Sequence, residues 1–351
     1  MKKLKVAIFL AYGGESHLYW AKQIKNNSRH DIEIFSLPPR YWKWRMQGSS
    51  GYFAELINKY PVCSFDLFIC TSMTNVNSFK GFLNKDQRDV PIYLYFHENQ
   101  FSYPVSSFDP DKETERHEHY QFIQIQSALA SERIFFNSEF NKESFISGAK
   151  KLIHRLPDEK EFLSKLFSMD AKIWPLHMDV DEYRFTEKEN EIPIFIWNHR
   201  WEYDKNPQEF FDILRNLKKI KKFQLIVCGK ENNYKAFDNA KADFADEIIH
   251  WGFCDSREGY LELLSKATHT IVTSNHDFFG LSALECILSG VKTYFPDRLC
   301  YPEHFSKDIF EIISYKNKDH LFSKMDRRYP TTDVYFEIKN KFSSFNDIPL
   351  L

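Results

Sequence analysis

The chain has 351 residues, 27% of them charged and 43% hydrophobic, with 11 Gly, 14 Pro and a formal net charge of −2. That length accommodates two hydrophobic cores, and the composition excludes fibrous, low-complexity and disordered classes. A charge this close to balance argues against holding nucleic acid or membrane by overall electrostatics, and leaves only local basic patches for such contacts.

The first apolar run, Val6–Ala11, is too short for a secretory leader and enters Tyr12-Gly13-Gly14 where a cleavage site would be needed. It reads as a first strand, Lys5–Ala11, ending in a glycine turn. Further strands are expected at Ile32–Leu37, Leu67–Thr71, Ile92–Phe96 and Arg133–Asn137. Helices are expected at His17–Lys25, Gly51–Lys59, Glu118–Leu129 and from Glu139 to about Ile146, the last capped by Asn137-Ser138. The same grammar restarts after a charged stretch from about Asp170 to Glu191. Strands then fall at Ile192–Trp197, Gln224–Cys228, Glu247–Gly252, His269–Ser274 and Lys292–Phe295, with helices at Pro207–Lys219, Arg257–Lys266 and Leu281–Leu288. Strands alternating with helices predict an α/β chain of two doubly wound domains, 1–175 and 192–325, joined by a linker at 176–191 and followed by a tail at 326–351. Ligands bind such domains at the carboxyl ends of their strands, which places the expected site in an interdomain cleft. No apolar run is long enough to span a bilayer, so a cytoplasmic location is expected, with no membrane contact and no protein partner implied.

Three segments carry chemistry. Gly13-Gly14 lets the backbone approach a ligand beside a helix start, although a tight strand-to-helix turn needs the same residues. In Asn198-His199-Arg200-Trp201-Glu202-Tyr203-Asp204-Lys205-Asn206-Pro207 a strand delivers Arg200 and Lys205 into one loop. A planar guanidinium and a compact ammonium suit a diphosphate; a solvated loop with two surface cations is the competing reading. In His276-Asp277-Phe278-Phe279-Gly280-Leu281 a glycine hands a strand to a helix, where N–H groups meet phosphate. Glu285 lies in that otherwise apolar helix and is suited to the hydroxyls of a ribose, or to the helix dipole.

Other residues weigh less. His97-Glu98 is not a zinc helix, because Phe101 stands where the second histidine would be required. His97, at a strand end, is a candidate to touch a sugar or leaving phosphate, or is a satisfied core histidine. Arg40-Tyr41-Trp42-Lys43-Trp44-Arg45 interleaves rings with cations, as base-stacking surfaces do, and equally fits an aromatic cluster under a loop. The six cysteines are scattered without a short metal-ligand spacing and read as reduced thiols.

Taken together, the glycine turn, the Arg200/Lys205 loop and the Asp277-Phe278-Phe279-Gly280…Glu285 helix resemble the retaining glycosyltransferases of the GT-B fold. The resemblance implies that Arg200 and Lys205 neutralise the donor diphosphate, that Glu285 binds ribose, and that Asp277 contacts the transferred sugar where the family often has Glu. Longer words narrow the likeness: Tyr12-Gly13-Gly14 with Ser16-His17, Trp42-Lys43-Trp44-Arg45, Phe96-His97-Glu98-Asn99-Gln100, Asn198-His199-Arg200-Trp201-Glu202 and His276 with Phe278-Phe279-Gly280. They resemble the tRNA-queuosine mannosyltransferase family. That resemblance implies α-linked transfer of mannose from GDP-mannose to queuosine in tRNA, without a metal cofactor. It places Arg200, Lys205, His97 and Asp277 at the chemistry, and Gly13, Gly14, His276, Phe279, Gly280, Leu281 and Glu285 at the donor. Ser16, His17, Trp42, Lys43, Trp44, Arg45, Glu98, Asn99 and Gln100 fall on the acceptor side, and the tail is expected to cross back to the first domain. A glycan, lipid or small-molecule acceptor, and a non-catalytic nucleotide- or RNA-binding module, are the competing expectations. A dehydrogenase is disfavoured because Gly13-Gly14 lacks the GxGxxG spacing.

Overall fold

The computed structural model describes residues 2–104, 117–158, 160–231 and 234–350. They form two compact units, one of 1–177 with 345–351 and the other of 178–344.

The first unit is built on six parallel strands: β1 (Lys5–Leu10), β2 (Asp31–Ser36), β3 (Leu67–Thr71), β4 (Ile92–Phe96), β5 (Arg133–Phe136) and β6 (Ala171–Ile173), in the order β2-β1-β3-β4-β5-β6. Every residue of β3 and β4 is buried, as parallel strands covered by helices on both faces must be. Phe9 on β1 touches the rings of Phe35, Phe53, Phe68 and Phe79. Truncating so enclosed a ring to alanine costs about 3–5 kcal/mol. The helix Glu139–Arg155 starts where Ser138 Oγ accepts the Asn141 N–H at 3.0 Å, and it buries Phe145, Ala149, Leu152 and Ile153 on one stripe.

The helix expected at Gly51 begins at Trp42 and runs to Asn58. Gly48 and Gly51 mask its pattern in the sequence, and its inner stripe includes two serines. Buried Ser50 is satisfied by donating to the Asn75 carbonyl at 2.7 Å.

The second unit contains β7 (Ile194–Trp197), β8 (Gln224–Cys228), β9 (Ile248–Gly252), β10 (His269–Ile271), β11 (Lys292–Pro296) and β12 (Ser314–Tyr315), ordered β12-β11-β10-β7-β8-β9. Within the unit this is the doubly wound order 3-2-1-4-5-6, so its switch point lies between β7 and β10. The helix Pro207–Lys218 opens with Asn206 as N-cap and Pro207 at the first helical position, and buries Phe210, Phe211, Ile213, Leu214 and Leu217. β10 stops at Ile271, short of the expected Ser274. The Thr273 hydroxyl turns aside to donate to the Lys205 and Asn206 carbonyls, both at 3.0 Å.

The segment expected as a linker lies almost wholly in the second unit and is tied into it. The Lys188 ammonium donates to the carbonyls of Leu264 and Ala267 at 2.9 and 2.8 Å, at the end of the helix Arg257–Lys266. Most of the expected tail also belongs there: the helix Thr331–Phe342 places Phe342 5.2 Å from Phe279, ring to ring. Only 345–351 belongs to the first unit, where Trp174 Nε1 donates to the Asn346 carbonyl at 3.0 Å.

Candidate functional site

At the switch point of the second unit, two loops are stitched together by backbone bonds. The N–H groups of Asn275 and His276 donate to the Asp204 carbonyl at 2.8 and 3.2 Å. Arg298 reinforces the second loop by donating to the Ser274 and Thr273 carbonyls at 3.0 Å each. The stitching brings Lys205, delivered by a short 3₁₀ turn after β7, against Asp277, delivered after β10.

The Lys205 ammonium is buried between two carboxylates. It donates to Asp277 Oδ2 at 3.2 Å and to the His276 carbonyl at 2.8 Å, and lies 3.4 Å from Asp204 Oδ2. Burial alone would lower its pKa, but Asp277 and Asp204 hold it above the ordinary lysine value. Burial likewise opposes ionisation of Asp277, yet Lys205 and the Gly280 N–H, bonded at 2.8 Å, keep its carboxyl well below the usual range. Arg200 is more exposed. It pairs with Glu202 at 2.8 Å and approaches Asp204 at 3.6 Å. Two cations therefore meet three carboxylates here, in a cluster the sequence reading had only partly assembled. Asp204 and Glu202 were its missed members.

Two buried histidines flank the cluster. Burial, helped by Lys205, lowers His199 and His276 to about 4, so both are neutral at physiological pH. His199 is fixed by a 2.7 Å hydrogen bond between its Nδ1 and Ser282 Oγ.

Gly280 caps the helix Leu281–Leu288 with φ +79°, and a Cβ there would stand 2.9 Å from the Tyr301 ring. Glycine is thus required both for the left-handed turn and for the close ring. Leu281 opens the helix, placing its first N–H groups beside the Lys205–Asp277 pair. Phe279 is buried; its ring packs on His304 and Phe342 and its carbonyl lies 2.7 Å from His304 Nε2. It anchors the loop from below.

Glu285 is buried and held from three directions. Its Oε1 accepts from Arg257 at 2.7 Å and from the Tyr183 hydroxyl at 3.0 Å, while Oε2 accepts from the Tyr260 hydroxyl at 2.7 Å. A carboxylate offers about four lone-pair sites, so a ribose would share this one with Arg257 or displace it. Arg257, Tyr260 and Tyr183 were not found from the sequence. A helix-starting arginine and two scattered tyrosines carry no local signal.

In the first unit, His97 is buried after β4 and stacks on His17 at 4.0 Å. Trp20 stands edge-on to His97 at 4.8 Å and stacks on Tyr95 at 4.2 Å. Burial, and then His17, push the His97 imidazole well below its ordinary pKa. Its Nε2 has no hydrogen-bond partner among the described residues. Gly13 has a structural reason: its N–H donates to the Leu37 carbonyl at 2.9 Å, and a Cβ would stand 2.1 Å from Ser36 Oγ. Gly14 caps the helix Glu15–Asn27, and a Cβ there would meet the Tyr12 ring at an ordinary 3.6 Å.

Ser16 is exposed and Glu98 partly so. Asn99 is fully buried: its amide nitrogen donates to Asn141 Oδ1 and Ser144 Oγ at 2.8 Å, and its oxygen accepts from Phe101 and Ser102. Gln100 is partly buried, its N–H bonded to Gln124 Oε1 at 2.8 Å. These bonds engage Asn99 in shaping the turn after β4. On the helix Trp42–Asn58 the stripe divides. Trp42 packs on Tyr120 at 5.0 Å, with the Lys43 ammonium 5.6 Å above its ring. Arg45 is partly buried, whereas Trp44 is 65% exposed and Tyr41, just before the helix, is 73% exposed.

Comparison with known proteins agrees with this architecture. A family model described as tRNA-queuosine alpha-mannosyltransferase N-terminal matches residues 5–190, and one described as glycosyl transferases group 1 matches 179–293. A tRNA-queuosine alpha-mannosyltransferase of Drosophila melanogaster is 30% identical over 357 residues, covering 96% of this chain and 92% of that protein. The chain belongs to the tRNA-queuosine alpha-mannosyltransferase family. It is a glycosyltransferase of GT-B fold. Solved structures share that fold at low identity. A sucrose-phosphate synthase from Thermosynechococcus elongatus matches with TM-score 0.71 at 12% identity, over 97% of this chain and 95% of that one. A UDP-forming trehalose-phosphate synthase from Burkholderia xenovorans matches with TM-score 0.68 at 10% identity, over the same shares. No helix among the described residues is long and apolar enough to cross a membrane.

Proposed function

We propose that this glycosyltransferase moves mannose from GDP-mannose to the cyclopentenediol of queuosine in tRNA, with retention of the α configuration, in the cytoplasm. The observation that carries the donor half is the charge cluster at the switch point of the second unit. Lys205 is held by Asp277 and the His276 carbonyl, Arg200 stands exposed beside it, and the start of the helix Leu281–Leu288 adds N–H donors. Donors fixed in advance stabilise charge as it develops without reorganising.

As the bond between the mannose C1 and the diphosphate oxygen breaks, negative charge grows on the leaving phosphate, and Arg200, Lys205 and the helix start meet it. The acceptor hydroxyl bonds to C1 from the same face, and its proton passes to a leaving-phosphate oxygen. Asp277 contacts the sugar, and Glu285 shares its carboxylate with the ribose. His276, Phe279 and the glycine turn at Gly13-Gly14 shape the donor's surroundings. His97, neutral and with one unpartnered nitrogen, contributes a hydrogen bond to sugar or phosphate. Arg200, Lys205 and the N–H groups of the helix start do the neutralising in this scheme, so no divalent ion is assigned to the step.

The acceptor half rests on family membership and on Trp44 and Tyr41. Exposed rings flanked by Arg40, Lys43 and Arg45 are what unpaired bases stack on, as an anticodon loop offers them. Ser16, His17, Trp42, Glu98 and Gln100 complete the acceptor-side residues, and Asn99 acts through the turn it holds.

The test is incubation of the purified protein with GDP-mannose and queuosine-containing tRNA, followed by mass spectrometry of the digested nucleosides. A hexose-sized gain on queuosine supports the reading. Hydrolysis of the nucleotide sugar without that gain would move the acceptor to another class, and neither product would remove the activity.

A further inference from the structure

Three potential metal ligands, from two segments of the chain and outside the charge cluster, meet at the carboxyl edge of the second unit's sheet. Cys228 is the last residue of β8, His250 lies within β9, and Cys254 follows two residues after β9 ends. Cys254 Sγ lies 4.0 Å from Cys228 Sγ and 3.6 Å from His250 Nε2, and the three ligand atoms all fall within 4.8 Å of one another. A tetrahedral zinc with Zn–S about 2.3 Å and Zn–N about 2.0–2.1 Å sets its ligand atoms roughly 3.6–3.8 Å apart. The observed separations need only small side-chain adjustments to match.

The backbone brings the three together, with the Gly252 carbonyl 3.2 Å from His250 Nε2. Gly252, opposite Cys228 in the strand register, separates His250 from Cys254. Its φ of +120° turns the chain so that Cys254 comes back toward Cys228, and a Cβ on it would meet nothing within 4 Å. Cys228 is buried while His250 and Cys254 are half-buried, so the trio is shielded on one side and open to water on the other. Two soft thiolates and an imidazole select a borderline or soft ion over magnesium or calcium.

We propose that Cys228, His250 and Cys254 bind one zinc ion, with water in the fourth position. Both thiols release their protons to solvent on binding. The ion would clip β8 to the chain beyond β9. It would also brace the loop that carries Arg200, because the neighbouring Trp201 donates from Nε1 to the Cys228 carbonyl at 3.0 Å. The site is independent of the assignment of donor or acceptor.

The test uses the full chain, reduced, incubated with zinc sulfate, passed through gel filtration and measured by mass-spectrometric metal analysis. About one zinc per chain is expected for a Cys₂His set. Cys254→Ser and His250→Ala should each fall to background, while Cys63→Ser, at an exposed cysteine, retains the metal. Both lesions are at half-buried positions, and circular dichroism checks that the variants fold. Cobalt(II) loading should give a thiolate-to-cobalt absorption band that Cys254→Ser abolishes. Absence of stoichiometric zinc in the reduced wild type would overturn the proposal. So would equal zinc in all four proteins, or formation of a Cys228–Cys254 disulfide in place of metal uptake.

Discussion

Arg200→Ala separates chemistry from folding, because Arg200 is the exposed member of the charge cluster. Its 2.8 Å pair with Glu202 joins a side chain 54% exposed to one 35% exposed, and its approach to Asp204 is longer, at 3.6 Å. Ion pairs this accessible contribute about 0–1 kcal/mol to stability. A loss of that size lowers the melting temperature by no more than about 4 °C in a domain of this scale. The expected loss of transition-state stabilisation is much larger. Removing one fixed donor that meets developing charge costs about 2.7–4 kcal/mol, or roughly 10²–10³ in kcat. The assay pairs differential scanning fluorimetry with initial rates of GDP release at saturating acceptor. A large rate loss with an almost unchanged melting curve is expected. Turnover within about tenfold of wild type, less than half the free energy of one such donor, would refute the placement of Arg200 at the leaving group. A collapsed melting curve would refute its reading as a surface pair.

Lys205→Ala should behave differently, because it removes the ammonium shared by two buried carboxylates, Asp277 and Asp204. Breaking a buried pair from one side costs about 3–5 kcal/mol; urea denaturation measures it, and adding Asp277→Asn should recover part of the loss rather than add to it. Gly280→Ala meets both a positive φ and the Tyr301 ring 2.9 Å away, so a destabilisation of about 1–3 kcal/mol is expected from the same denaturation series. The histidines His199, His276 and His304 are held by burial at about 4, against about 6.5 in the unfolded chain. Their stabilisation is complete above pH ~6.5 and is lost as pH falls toward ~4, since the unfolded chain takes up protons first. Urea midpoints that stay flat from pH 7.5 to 5 would contradict this. Trp44→Ala should weaken binding of queuosine tRNA by about 1–3 kcal/mol, the worth of one stacked base, while leaving donor hydrolysis unchanged; equal tRNA affinity by filter binding would remove Trp44 from the acceptor surface.

The sequence by itself determined the alternation of strands and helices, because parallel strands buried on both faces read as short apolar runs. Leu67–Thr71, Ile92–Phe96 and Gln224–Cys228 stand at the residues expected. It also placed the Arg200–Lys205 loop between a strand and a helix, and Gly280 at a helix start. The start of the helix at Trp42 was hidden, because glycines and serines inside it broke the periodic signal that tertiary packing overrides. What only the tertiary structure decided was which distant residues face one another. Lys205 meets Asp277 because strand order places β10 beside β7. Arg257, Tyr183 and Tyr260 converge on Glu285 from segments with no common spacing. Cys228 reaches Cys254 because β8 pairs with β9 and Gly252 turns the chain back. Local pattern follows from burial along one element, whereas these encounters follow from strand order and register, which no single segment encodes.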